Sequence, residues 1–131
     1  MKTKQNLDLK NGSRMQKRGA AGERRAAFYL RLHGYRILER NWLSGKREVD
    51  IIARKGDTIA FIEVKSRRSG AIAPQLSVTN AKRRNIVSAS YAYAAKHGIH
   101  NAVLRYDIIE VDLDKRFPLS GINHIIGAFC A

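Results

Sequence analysis

The sequence contains little cysteine, no metal-binding histidine pattern and no long apolar run. Cys130 is the single cysteine of 131 residues, which excludes an intramolecular disulfide and a cysteine zinc cluster and fits a reducing compartment. The four histidines show neither HxxxH nor HxH spacing. No apolar run reaches the ~18 residues of a membrane-spanning helix, and the N-terminal segment lacks the apolar stretch of a secretory signal. We therefore expect a cytoplasmic protein with no membrane partner.

Acidic residues are also scarce. Eleven Asp and Glu face twenty-five Lys and Arg, which gives a net charge of +14 and a pI near 10.5. Such an excess favours a polyanionic partner, and nucleic acid, DNA above all, is the leading candidate. An anionic membrane surface is the rival, but no basic helix carries the broad apolar face that it requires. For any single Lys or Arg, the alternative is a solubilising surface charge.

The order of predicted elements is αβββαβα, which indicates a single α/β domain over residues 17–131. Residues 1–16 are polar and without periodicity, and we predict a flexible basic arm there. The first helix is expected from about Lys17 to Gly34, with an apolar stripe through Ala21, Phe28 and Leu32. The other expected elements are strands at 35–42, 47–54, 58–65 and 104–111, a helix from Thr79 or Asn80 to His97, and a C-terminal helix carrying Ile122, Ile125, Ile126 and Phe129.

Charged residues interrupt the apolar hairpin formed by residues 47–54 and 58–65. Asp50 lies in its first strand, and Glu63 and Lys65 end the second. Burying charge costs free energy unless the charge is paired or binds a metal. Two carboxylates with an ammonium nearby suit a divalent-cation site that hydrolyses a phosphodiester. The alternative is a structural cluster in which Lys65 and an arginine neutralise both acids.

Hairpin register decides whether these acids can meet. A loop with an even number of residues, such as Gly56-Asp57, pairs residues whose numbers sum to 113. Asp50 then lies opposite Glu63, on the face that Lys65 shares, because side chains alternate along a strand. An odd loop would place Asp50 on the other face. Gly56 at the first central position of a type II′ turn permits the even loop.

A wider set of motifs surrounds this cluster. In chain order they are GAAGE at 19–23, GYRILERN at 34–41, EVDIIA at 48–53, FIEVKSR at 61–67, Val78-x3-Lys82, RYD at 105–107 and HIIxAF at 124–129. Together they resemble the YraN family of small bacterial proteins, over about residues 17–129. That family is placed in the restriction-endonuclease-like and Holliday-junction-resolvase-like superfamily, whose signature is PD-(D/E)xK. The sequence departs from the family at Arg47, where a glycine is usual.

The resemblance implies a restriction-endonuclease-like core, with a central mixed sheet, helices on both faces and a short C-terminal helix. It also implies, together with the chemistry of the residues, that Asp50, Glu63 and the carbonyl of Val64 hold Mg²⁺ or Mn²⁺. Lys65 would orient the attacking water and neutralise charge on the phosphate. Glu23 matches an additional acid of resolvase-like relatives; its alternative is an exposed helix acid.

Five further basic residues are candidates for contacting the nucleic acid. Lys82 opens the second helix, with Arg83 and Arg84 beside it, and Arg67 and Arg68 follow the ExK strand. Trp42, Tyr91 and Tyr93 are interpreted as core aromatics rather than as base-stacking platforms. Resolvases of the superfamily act as dimers, so a homodimer is an expectation by resemblance.

Three functions are consistent with these features. The first is a metal-dependent endonuclease acting on DNA, including branched or damaged DNA. The second is a nucleic-acid-binding protein on a nuclease fold that has little or no activity. The third is a basic ribosome- or RNA-associated protein, which would leave the acidic cluster without a role.

Overall fold

The computed structural model of the chain describes residues 19–68, 78–115 and 119–131. The predicted N-terminal arm, residues 1–16, lies outside them. The described residues form helix α1 (residues 19–32), strands β1 (Arg36–Ser44), β2 (Arg47–Lys55) and β3 (Thr58–Arg67), helix α2 (Asn80–Lys96), and strands β4 (Val103–Asp112) and β5 (Ile122–Phe129). Thr79 caps α2, as its position before the apolar pattern predicted, because its hydroxyl accepts from the Lys82 N–H.

The five strands form one mixed sheet in the order β1-β2-β3-β4-β5. Neighbouring strands are antiparallel except β3 and β4, which are parallel. A parallel pair requires a crossover, and α2 provides it. The predicted α/β class, the mixed sheet and the αβββαβ order are thus confirmed.

Each face of the sheet is covered by one helix. Ile86, Ala89 and Tyr93 of α2 pack with Phe61 on one face, and Ala26, Ala27 and Leu30 of α1 pack on the other. The predicted apolar stripe of α1 is partly wrong, because Phe28 and Leu32 are 43% and 57% exposed. Small alanines, rather than these large side chains, face the sheet and allow α1 to approach it closely.

The aromatic residues divide between core and surface. The rings of Trp42 and Tyr93 meet edge to face at 5.2 Å, and Tyr93 is buried. Both are core residues, as predicted. Tyr91 is 55% exposed, so its interpretation as a core residue is wrong. No helix within the described ranges is long and apolar enough to cross a membrane.

The C-terminal segment is a strand, so the predicted C-terminal helix is wrong. Ile122 packs with the α1-side core, whereas Ile125 packs with the α2-side core. The helical spacing of the apolar residues arises because residues on both faces of this strand pack against a core and a bulge shifts its register opposite Asp107. Gly127 has φ +62° within that bulge, a conformation that does not continue a helix.

The predicted register of the β2–β3 hairpin is confirmed. Pairing runs from Lys55↔Thr58 to Ile51↔Ile62, and Gly56 has the positive φ that the two-residue turn requires. The ladder ends at Ile51↔Ile62, so the predicted pairing of Asp50 with Glu63 is not part of it. Val49 joins the α2-side core together with Ile52, although strict alternation had placed Val49 on the opposite face. Strand β2 therefore twists away from β3 at Asp50.

A buried network joins β4 to β5 on the α1 side of the sheet. The fully buried Asp107 carboxylate accepts from Arg105 Nε and Nη2 (2.9 and 2.8 Å), from His124 Nε2 (2.8 Å) and from the Gly127 N–H (2.9 Å). Burial alone would raise the pKa of Asp107, but these hydrogen bonds outweigh burial and hold the pKa below its usual value. The network joins two motifs to which the sequence assigned no role, residues 105–107 and 124–129.

Replacing Asp107 with Asn should destabilise the fold by about 3 kcal/mol near neutral pH, because Arg105 and His124 would lose their buried anion. A carboxylate whose folded pKa is lowered contributes stability above its unfolded pKa, and this is lost as pH falls through the folded pKa. The difference between the two proteins should therefore shrink below about pH 4. Urea unfolding between pH 3 and 7 measures it, with the exposed turn residue changed by Asp57→Asn as control. Equal stability at pH 7 would contradict the account.

A candidate metal and phosphate site where strand β2 leaves β3

Asp50 closes the hairpin ladder with its side chain instead of its backbone. Its Oδ2 accepts from the Val64 N–H at 2.8 Å. In an uninterrupted ladder that N–H would bond to the backbone carbonyl of Val49, since paired residue numbers sum to 113. The carboxylate thus lies at the position where the two strands separate. The Val64 carbonyl points to the same side of β3 as its N–H, and so toward Asp50.

A cleft of about 350 Å³ opens where the strands separate. The tip of the β1–β2 hairpin and the first turns of α2 form its walls, with Asp50 and Glu63 between them. Its lining residues are Lys46, Arg47, Glu48, Asp50, Glu63, Thr79, Ala81, Lys82, Asn85 and Ile86. The two predicted carboxylates therefore line the same cleft.

Glu63 is paired through one oxygen only. Its Oε1 lies 2.6 Å from Lys82 Nζ and 3.4 Å from Lys65 Nζ. Its Oε2 is buried and has no hydrogen-bond partner within the described ranges. A buried carboxylate oxygen without a partner carries a desolvation cost that a bound cation would remove.

The charges in the cleft perturb one another strongly. Burial, followed by the negative charge of Glu63, raises the pKa of Asp50 to about 8. Burial alone would lower the pKa of Lys82, but the hydrogen bond and charge of Glu63 outweigh burial and raise the pKa above its usual value. Near neutral pH the cleft therefore holds a charged Lys82 and an Asp50 carboxyl that is close to its titration point.

Glu23 lies at the border of this cluster rather than among the cleft-lining residues. Its Oε2 is 3.8 Å from Arg40 Nη2. Burial raises its pKa, and the charges of Glu48 and Glu63 add to the rise. Helix α1 reaches this position because Gly22 packs against the end of β3, where a Cβ would overlap the Ser66 hydroxyl. Glu23 is thus near the site electrostatically, and its direct partners are Asn41, by a side-chain hydrogen bond, and Arg40.

The basic candidates occupy several positions. Lys82 lines the cleft and binds Glu63. Arg83 donates from Nε to the Val78 carbonyl (3.1 Å), whereas Arg84 is exposed on α2. Both line a neighbouring cavity of about 520 Å³. Arg67 is partly buried at the end of β3, and Arg68 lies 3.8 Å from Asp114.

Sequence reasoning missed two aspects of the site. It gave Lys82 a role toward phosphate but did not reveal the Glu63 contact, because the chain between β3 and α2 sets no distance between them. It also missed Lys46 and Glu48 as cleft residues. Arg47, recognised only as a departure from the family pattern, lines the cleft as well.

The residues present fit a divalent ion of the magnesium type. Among the residues that the structure describes, no group of three or more His, Cys, Asp or Glu could hold a metal. Two carboxylates, with waters and a phosphate oxygen, are however a common set for Mg²⁺. The unpartnered Glu63 Oε2 supplies a ligand atom that has no other use within the described residues.

Comparison with known proteins identifies the class of this α/β protein. The model of the uncharacterised protein family UPF0102 matches residues 22–111. UPF0102 proteins of Geobacter metallireducens (44% identity; 85% of this chain and 90% of the relative), Trichlorobacter lovleyi (46%; 85% and 88%) and Moorella thermoacetica (39%; 87% and 96%) are similar to it. The chain belongs to the UPF0102 family, and the predicted membership of the YraN family is confirmed.

Replacing Asp50 with Asn should stabilise the metal-free protein at pH 8. A carboxyl whose folded pKa is raised favours folding at low pH, and this contribution is lost as pH rises from the unfolded value of 3.8 toward about 8. The variant should gain at least about 1.4 kcal/mol over the wild type at pH 8, which corresponds to one pKa unit. Little difference should remain near pH 4.

Thermal and urea unfolding in EDTA at both pH values tests this expectation. Glu48→Gln, an exposed acid on the same strand, is the matched control and should show no such pH-dependent gain. An Asp50→Asn protein that is less stable than the wild type at pH 8 would refute the assignment.

Proposed function

We propose that this protein is a metal-dependent nuclease that hydrolyses phosphodiester bonds of DNA at the Asp50, Glu63 and Lys65 centre. The observation that carries the proposal is the cleft geometry. Two carboxylates meet at a separation between strands, one of them leaves a buried oxygen unpartnered, and two lysines lie beside it. The order and pairing of the strands are compatible with the restriction-endonuclease-like core that the YraN resemblance implies.

Asp50, Glu63 and the Val64 carbonyl would hold Mg²⁺ or Mn²⁺. The bound ion supplies Lewis-acid polarisation of the phosphate and a more acidic water. Lys65 lies on β3 two residues after Glu63, where its ammonium would stabilise negative charge that develops on the phosphate.

The cleft walls favour a polyanionic substrate. Lys46 and Arg47 lie on the hairpin side, and Lys82 lies on the helix side. The first turn of α2 contains no acidic residue of its own, and the positive end of the helix dipole opens toward the cleft. Exposed Arg84 extends this basic surface along α2.

A second candidate function is nucleic-acid binding without hydrolysis. The observation that favours it is the pairing of Glu63 with both Lys82 and Lys65, which already neutralises the carboxylate that a metal ion would need. A binding protein would keep its affinity for DNA, but it would show no metal-dependent turnover.

Cleavage of single-stranded, duplex, flap and four-way-junction DNA in Mg²⁺ and Mn²⁺ separates the two candidates. A nuclease should cleave at least one of them, and Glu63→Gln should lower the rate at least about a hundredfold, as loss of a key electrostatic group does. Glu39→Gln, on β1 and outside the cleft lining, should leave the rate unchanged. No cleavage, or equal cleavage by Glu63→Gln, would exclude the enzyme.

Binding to DNA should depend on the position of basic residues along α2. Arg84→Ala should weaken binding to DNA of any sequence, since a phosphate contact is lost. The slope of the logarithm of the binding constant against the logarithm of salt concentration should fall by about one. Lys96→Ala, about 18 Å further along the helix, should have little effect. Fluorescence anisotropy over a salt series measures both, and equal losses from the two variants would contradict the dependence on position along α2.

A further inference from the structure

Lys82 is the cation closest to Glu63 in the described part of the chain. Its ammonium lies 2.6 Å from Glu63 Oε1, against 3.4 Å for the ammonium of Lys65. The Lys82 side chain is 42% exposed, whereas the Glu63 side chain is 3% exposed. The contact therefore joins a buried carboxylate to a side chain that remains in contact with solvent.

The backbone of Lys82 is fixed, but its ammonium is not. The Lys82 N–H donates to Thr79 Oγ1 at 3.1 Å, within the N-terminal cap of α2. The ammonium is carried on a flexible four-carbon stem, and the cleft beside it is open to solvent. The ammonium can leave Glu63 by side-chain rotation alone, without any movement of α2.

A divalent ion on the unpartnered Glu63 Oε2 and the Lys82 ammonium on Oε1 would share one carboxylate and lie only a few ångströms apart. Magnesium binds carboxylate oxygens at about 2.1 Å, so the two cations would repel each other and the Lys82 ammonium would weaken binding of the ion. Lys82 therefore competes with the ion for Glu63. Once displaced, its ammonium remains in a cleft that Lys46, Arg47, Glu48 and Asp50 also line, where a bound phosphate would be its partner.

We propose that Lys82 is a catalytic residue of this centre: Glu63 holds its ammonium when no divalent ion is bound, and the ammonium transfers to a phosphate oxygen of the nucleic acid when the ion binds. This inference rests on the proposed nuclease function and deepens it. It assigns Lys82 a contact with the reacting phosphate, rather than a general role in attracting DNA. Metal binding and substrate binding then favour each other. The ion releases Lys82 for the phosphate, and the phosphate draws Lys82 away from Glu63.

Lys82→Met tests the inference, since methionine keeps an unbranched stem and removes the charge. The variant should bind Mn²⁺ at least about fivefold more tightly than the wild type in the absence of DNA, within the usual range of coupling between sites. At saturating Mn²⁺ its turnover should fall at least about tenfold. Isothermal titration calorimetry measures the affinity, and single-turnover cleavage measures the rate.

Two further variants serve as controls. Lys46→Met removes another cleft-lining ammonium that has no ion pair with Glu63, so its Mn²⁺ affinity should change less. Lys82→Arg keeps the charge and should return affinity and rate toward the wild-type values. Thermal unfolding of each variant checks that it is folded before the titration.

The outcomes separate this inference from the proposed function. If Lys82→Met leaves the Mn²⁺ affinity unchanged, or raises it without loss of turnover at saturating Mn²⁺, the inference is overturned while the nuclease function stands. If the wild type binds no Mn²⁺, or binds it and cleaves no DNA, both are overturned.

Discussion

The hydrogen bond from the Val64 N–H to the Asp50 carboxylate is the interaction on which the site depends. It lets β2 leave β3 without an unsatisfied backbone donor, a defect that costs roughly 1–3 kcal/mol when buried. The same separation opens the cleft and fixes one carboxylate at its floor. A backbone acceptor in place of Asp50 would continue the ladder and close the gap. The acid that would hold a metal ion therefore also shapes the space that receives it.

The sequence predicted the β2–β3 hairpin and its register because these depend on one local property. Whether the turn has an even or an odd number of residues determines the face of the sheet on which each side chain of the ladder lies. It could not predict where the ladder ends. That depends on a competition between a side-chain and a backbone acceptor for Val64, and alternation of apolar residues does not report it. The contact between Lys82 and Glu63 was equally inaccessible, because it joins two elements across a connection whose path residue types do not specify.

The C-terminal strand shows how periodicity can mislead. Apolar residues at helical spacing predicted a helix at residues 122–129, yet a strand that packs residues of both faces against a core and is interrupted by a bulge produces the same pattern. The positive φ of Gly127 distinguishes this bulged strand from a helix. In the sequence, the corresponding signal was the glycine within the apparent helix. In α1, Ala26, Ala27 and Leu30 face the sheet, while Phe28 and Leu32 are exposed.

The inward hydrogen bond of Gly127 has a consequence for the surface of the molecule. Strand β5 lies at an edge of the sheet, and an edge strand with a continuous row of free donors and acceptors is a template for pairing with another chain. By turning the Gly127 N–H toward Asp107, the bulge removes a donor from that row and bends the strand. Ile126 is exposed beside it, so the bulge protects against aggregation at the point where an apolar side chain would otherwise promote it.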